Sequence, residues 1–160
     1  MAGSLDGLFN EETYYTGPAL SDAMVASAER ELGVTLPAAY LRVLRLRNGG
    51  SLARETFPTP FATSWADDHF AVRAILGIGG DNGIDSPDGG SRYLIEEWDY
   101  PRIGVVVAEC PSGGHDTVML DYTKRNADGE PTVAYIDEDR EPRTVADGFG
   151  AFVEALRSGE

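Results

Sequence analysis

The chain's 160 residues, 42% hydrophobic and 25% charged, have the make-up of one globular domain with its own core, and no segment reaches the apolar length of a membrane span. Its 27 acidic residues against 13 basic ones give a net charge of -14, a field that repels nucleic acid and anionic membranes and speeds encounter with a basic protein. A single cysteine, Cys110, excludes an internal disulfide and fits a cytoplasmic protein, as does an N-terminus without the basic start and apolar run of a signal peptide.

Residues 1–19 are polar with scattered aromatics (Phe9, Tyr14, Tyr15) and end at Gly17-Pro18, which predicts an arm packed on a single domain of residues 20–160. Ser21 offers an N-cap oxygen, Asp22 puts a carboxylate in the first turn, and Leu20 and Val25 suit a hydrophobic staple. Val25, Ala28 and Leu32 share a face and Gly33 suits a left-handed stop, so a helix is predicted over 22–32. Pro37 suits the first position of a second helix, whose stripe of Leu36, Tyr40, Val43, Leu44 and Arg47 runs to the stop at Asn48-Gly49-Gly50. Arg42, Arg45 and Arg47 crowd its C-terminal half, where the helix dipole favours cations.

Residues 51–68, rich in Pro, Thr and Ser, read as a loop. Alternation of Phe70, Val72, Ala74, Leu76 and Ile78 predicts one strand running into a long Gly-rich loop, 77–90. A short helix over 91–100 carries Trp98 and ends at Pro101. Strands follow over 103–109, 117–122 and 132–137, and their short links imply antiparallel neighbours. The last helix is expected to open at Thr144, with Asp147 in a capping-box relation and Val145, Phe149, Phe152, Val153 and Leu156 on its apolar stripe. Helices, then strands, then a helix make the fold class α+β, an antiparallel sheet flanked by helices.

Glu29-x-x-Leu-Gly33, Leu36-Pro-x-x-Tyr40 and Asn48-Gly-Gly50 together resemble the opening signature of the SMI1/KNR4, or SUKH, superfamily. Glu97-Trp98, the Gly113-to-Tyr122 segment with its Gly-x-Asp and Leu-Asp-Tyr elements, and Pro131 to Asp137 are similar to that family's later motifs, so the resemblance spans roughly residues 20–157. It implies the SUKH fold and, for many members, the role of a bacterial immunity protein that occludes a cognate toxin, often a nuclease. A second implied role is a regulatory or scaffolding module paired with no toxin.

Catalytic motifs fare poorly. Gly77-Ile-Gly79-Gly80-Asp81-Asn82 lacks the third glycine and the following helix of a dinucleotide fingerprint. Asp81, Asp85 and Asp88 offer oxygen ligands, but their spacing matches neither the EF-hand nor the nonapeptide repeat. His69 beside Asp67 and Asp68 has no second histidine or cysteine at zinc spacing. Cys110 and His115, with Asp116 or Asp121 to orient the imidazole, suit a nucleophile and base only if they meet in space. Cys110 ending an apolar strand reads more simply as a small hydrophobe. No enzyme, cofactor or metal is expected.

Binding is the better expectation. Asp67, Asp68, Asp81, Asp85, Asp88, Glu96, Glu97, Asp137, Glu138, Asp139 and Glu141 form the pool of carboxylates for a basic partner, with Trp98 either beside them or anchored in the core. The densest run, Asp137 to Glu141, is expected between the last strand and the last helix.

Overall fold

The structure, a computed structural model, describes residues 5–158. The expected arm's first four residues and the last two of the chain lie outside them. Helices α1 (Asp22–Leu32) and α2 (Ala38–Leu46) come first, then strands β1 (Gly50–Ser51), β2 (Thr56–Pro58), β3 (His69–Ala71) and β4 (Ala74–Ile75), helix α3 (Ser91–Trp98), strands β5 (Gly104–Glu109), β6 (Thr117–Arg125), β7 (Pro131–Ile136) and β8 (Pro142–Ala146), and helix α4 (Phe149–Ala155). Six strands form one antiparallel sheet in the order β1-β4-β5-β6-β7-β8, and β2 pairs with β3 as a separate hairpin. The fold is α+β, as its order of elements predicts.

Helix α1 keeps its predicted bounds because both ends are chemically fixed. Ser21 Oγ accepts from Met24 N at 3.2 Å, and Gly33 (φ 72°) turns its N–H onto Glu29 O. Pro37 stands one residue earlier than expected. Its extended backbone (φ -64°, ψ 144°) makes it the N-cap of α2, and with no hydroxyl or amide to offer it leaves the first donor, Ala38 N, to Glu130 Oε2 at 3.0 Å. Arg47 lies just beyond the helix rather than on its stripe.

Four further expectations are corrected. Residues 51–68 are not all loop, since β2 lies within them. The single strand through 70–78 is two, β3 and β4, in different sheets. Phe70, Val72, Ala74, Leu76 and Ile78 are all buried, so the alternation reported burial while the chain crossed from one sheet to the other. Helix α3 ends before Pro101, at Asp99, which takes the left-handed conformation (φ 57°). Thr144 and Val145 belong to β8, and α4 starts later, from Gly148, without a side-chain cap. The run Asp137 to Glu141 therefore joins β7 to β8 as a hairpin turn.

A ladder of aromatic rings binds the hairpin to the large sheet. Tyr135 of β7 stacks on Phe70 at 3.9 Å, Phe70 on Phe57 at 5.2 Å, and Phe57 on Phe152 of α4 at 5.1 Å. Phe149 then meets Tyr40 of α2 edge-on at 5.1 Å. All six rings are buried, each burial contributing on the order of 1.5–3 kcal/mol. The N-terminal arm is built into this body: Leu8 is fully buried, Phe9 bridges Leu52, and Asn10 N donates to Ser51 O at 3.0 Å, beside edge strand β1.

Candidate functional site

One end of the sheet gathers residues from four separate segments, and a buried carboxylate holds them together. Asp116, 2% exposed in the β5–β6 turn, accepts from Trp65 Nε1 at 2.6 Å, from the Tyr135 hydroxyl and from Ser112 Oγ. Trp65 lies in the β2–β3 loop, so this contact pins that loop against the sheet end. Asp137 adds a second pin: its Oδ2 accepts from Ser64 N at 2.9 Å and its Oδ1 from Glu138 N at 2.9 Å. These donors are the compensation a buried carboxylate needs. Burial, reinforced by the bond to Asp116, pushes the Tyr135 phenol far above its ordinary value of 10.0.

Arg140 ties in the third and fourth segments. It sits at a positive φ of 61° in the β7–β8 turn, and its guanidinium donates to Trp98 O (3.0 Å), His115 O (2.7 Å) and Asp137 O (3.0 Å) while lying 4.9 Å from the Tyr100 ring centre. Trp98, half-buried, packs against Gly114. The turn can come this close only because Gly114 (φ 106°) has no side chain: a Cβ there would run into the indole.

The proposed contact residues fall into three groups. Asp67, Asp68, Glu138, Asp139 and Glu141 are exposed on the two loops that Asp116 and Asp137 draw together, and Glu96 and Glu97 are exposed on α3 with Tyr93, leading to Trp98. Asp139 is held below its ordinary 3.8 by the Glu141 backbone N–H and then by Arg143, 2.9 Å away. Asp137 faces inward and serves the fold. Asp81, Asp85 and Asp88 belong to a different neighbourhood, the Gly-rich loop, where Asp85 Oδ1 accepts from Gly79 N at 2.9 Å and Asn82 Nδ2 reaches Tyr14 O on the arm.

Three clefts border the arm, the Gly-rich loop and α3. The arm and the Gly-rich loop enclose about 400 Å³ between Tyr15, Gly17, Gly79 and Asn82. Glu12, Tyr14, Glu55 and Arg73 border about 620 Å³ along the arm. The third, about 250 Å³, lies between α3 and the β5–β6 turn, with Trp98, Tyr100, Glu109 and Asp116 in its walls. Glu109 Oε2 also accepts from the Tyr15 hydroxyl, which links the arm to this last cleft.

Nucleophile and base do not assemble. The Cys110 thiol is buried and raised well above its ordinary 9.0, first by loss of solvent and then by Asp116. His115 is exposed and turns toward Trp98 and Glu138 instead. Among the described residues, no group of three or more His, Cys, Asp or Glu side chains is placed to hold a metal ion, and no helix is long and apolar enough to cross a membrane.

Against known families, a model described as SMI1-KNR4 cell-wall matches residues 22–153 of the chain. The chain belongs to the SMI1-KNR4 (SUKH) family. No curated protein matches it.

The SUKH signature residues now acquire physical roles. Glu29 Oε2 accepts from Leu36 N at 2.8 Å and closes the α1–α2 link. Asn48, 3% exposed, donates its amide to Pro18 O (2.7 Å) and Ile78 O (2.8 Å) and accepts from Ile78 N (2.9 Å), clamping arm and Gly-rich loop together. Gly49 and Gly77 leave no space for a Cβ beside that clamp. Asp121 of the Leu-Asp-Tyr motif is buried and bonds Thr123, and Tyr122 reaches Thr35 O at 2.8 Å. Sequence reasoning took Asn48 for a helix stop and passed over Trp65, Asp116 as a hub, and Arg140. The exposure of Tyr14 (71%), Tyr93 (44%) and Trp65 (40%) is likewise not written in composition.

Proposed function

We propose that this SUKH domain is an immunity protein that binds a basic bacterial toxin, such as a nuclease, and blocks it by occupying its working surface. Family membership supports the class of role. The observation that carries the partner's chemistry is the joining of Asp67 and Asp68 to Glu138, Asp139 and Glu141 by the buried carboxylates beneath them. Surface carboxylates on loops held this way lose little freedom on binding, which favours affinity. A net charge of -14 also steers a cationic partner inward.

The test is to ask whether a neighbouring gene encodes a secreted protein with a toxin-like C-terminal domain, and to co-express that domain with this chain. Growth should be restored, and the isolated complex should weaken about tenfold or more between about 50 mM and about 500 mM salt. Absence of binding, or salt-insensitive binding, counts against the proposal. The family description's reference to the cell wall favours a second reading, a regulatory or scaffolding module, which salt-insensitive capture of a cellular protein would support.

A further inference from the structure

We infer that the cleft lined by Trp98, Glu109 and the Gly113–Thr117 turn receives an arginine side chain of the protein partner; this rests on the immunity reading and names the contact at its centre. The cleft encloses about 250 Å³, with Leu94, Trp98, Tyr100 and Val106 as apolar wall and Glu109, Asp116 and Thr117 as its polar part. Two carboxylates and no basic side chain line it, so its charge complements a cation. Apolar walls lower the local dielectric and strengthen that attraction.

The carboxylates divide the work. Asp116 is buried and occupied by Trp65, Ser112 and Tyr135, so it contributes field from a fixed position. Glu109 is half-buried and accepts from Tyr15 through one oxygen, and a carboxylate has acceptor capacity beyond one such bond. Glu109 is therefore the direct ligand. The indole of Trp98, packed against Gly114 and lining the cleft, is the aromatic surface on which a planar guanidinium stacks. The fold makes this arrangement elsewhere: Arg47 lies over Phe9, Arg125 over Tyr122, Arg140 over Tyr100 and Arg143 over Phe61. Arg73 stands beside the Tyr15 hydroxyl that Glu109 holds, and the cation against the cleft's aromatic wall at Tyr100 is Arg140. It is turned to the carbonyls of Trp98, His115 and Asp137, with Glu138 and Asp139 beside it in the same turn. A lysine ammonium, compact and strongly hydrated, would forgo the stacking.

The experiment uses the full chain labelled with ¹⁵N and two capped tripeptides, Gly-Arg-Gly and Gly-Lys-Gly, of equal charge. Saturating shifts are expected at the Trp98 indole N–H and the Gly113, Gly114 and Thr117 amides, with the arginine peptide bound roughly fivefold more tightly. Glu109→Gln, which retains an acceptor for Tyr15, should weaken it about tenfold, the effect of one charge-assisted hydrogen bond. Trp98→Phe should narrow the preference for arginine over lysine. Shifts centred on Asp81 and Asp88, equal response to both peptides, or no response would each overturn the assignment. Toxin rescue is scored separately: rescue with a silent cleft sinks the cleft alone, and arginine binding without rescue sinks the immunity reading alone.

Discussion

Replacing Asn48 by alanine should be among the most damaging changes outside the apolar core, and the structure gives its size. The substitution removes two donated bonds, at 2.7 and 2.8 Å, and one accepted bond, at 2.9 Å. Ile78, which supplies two of the three backbone partners, is fully buried, so its N–H and C=O lose their partner away from solvent. Each buried orphan costs on the order of 1–3 kcal/mol, and allowing for some water entry the total is about 3–5 kcal/mol. That is a large share of a typical stability and corresponds to a midpoint lowered by roughly 10–15 °C. Asn48→Asp preserves the shape and sharpens the test, because a carboxylate would then face the carbonyls of Pro18 and Ile78. It should cost at least as much at neutral pH. Its folded-state pKa would be raised, so the native protein would hold the extra proton and the variant's deficit would shrink as pH falls. Urea unfolding followed by circular dichroism at several pH values, each against the parent chain, measures both. A loss below about 1 kcal/mol for Asn48→Ala, or an aspartate variant as stable as the parent, would refute the clamp.

Three other expectations follow from the same interior. Cys110 should resist iodoacetamide in the native protein at neutral pH and react only as the chain unfolds, since burial keeps the thiol protonated; rapid native labelling would contradict this. Tyr15, Tyr40, Tyr100, Tyr122 and Tyr135 are all raised above 10.0, chiefly by burial. Their stabilisation is complete below pH 10 and is lost as pH climbs through the raised values, so their phenolate absorbance should appear together with alkaline unfolding rather than before it. Gly114→Ala should displace Trp98, cost about 2–4 kcal/mol and redden tryptophan emission, while Gly113→Ala, with open space around its Cβ, should cost only about 1 kcal/mol.

Sequence signals were sharpest where one local contact decides the outcome. Ser21 and Gly33 end α1 through bonds to residues three or four positions away, so its bounds were readable. β5, β6 and β7 showed as apolar runs between turn residues. β8 was misread because Thr144 and Asp147 imitate a capping box, while the strand is set by pairing with β7, a contact that residues 142–146 do not encode themselves. β1 to β4 hold two or three residues each, too few to show a period. The acidic residues of the candidate site were visible one by one, but their grouping was not. It depends on Trp65 meeting Asp116 across 51 positions and Ser64 meeting Asp137 across 73.

The arm has a consequence for where this protein can be cut. Phe9 and Asn10 lie against β1, a two-residue strand at the margin of the six-stranded sheet, and Arg47 holds Asn10 O, Glu12 O and Thr16 Oγ1. The segment thus shields backbone groups that would otherwise be free to pair with another molecule. A fragment begun at Asp22 would retain all that the family model matches, yet it would vacate the socket of Leu8 and bare that margin. Such a fragment should self-associate, so gene fusions and shuffled libraries joined at the family boundary would yield aggregates from a chain whose helices and strands are otherwise intact.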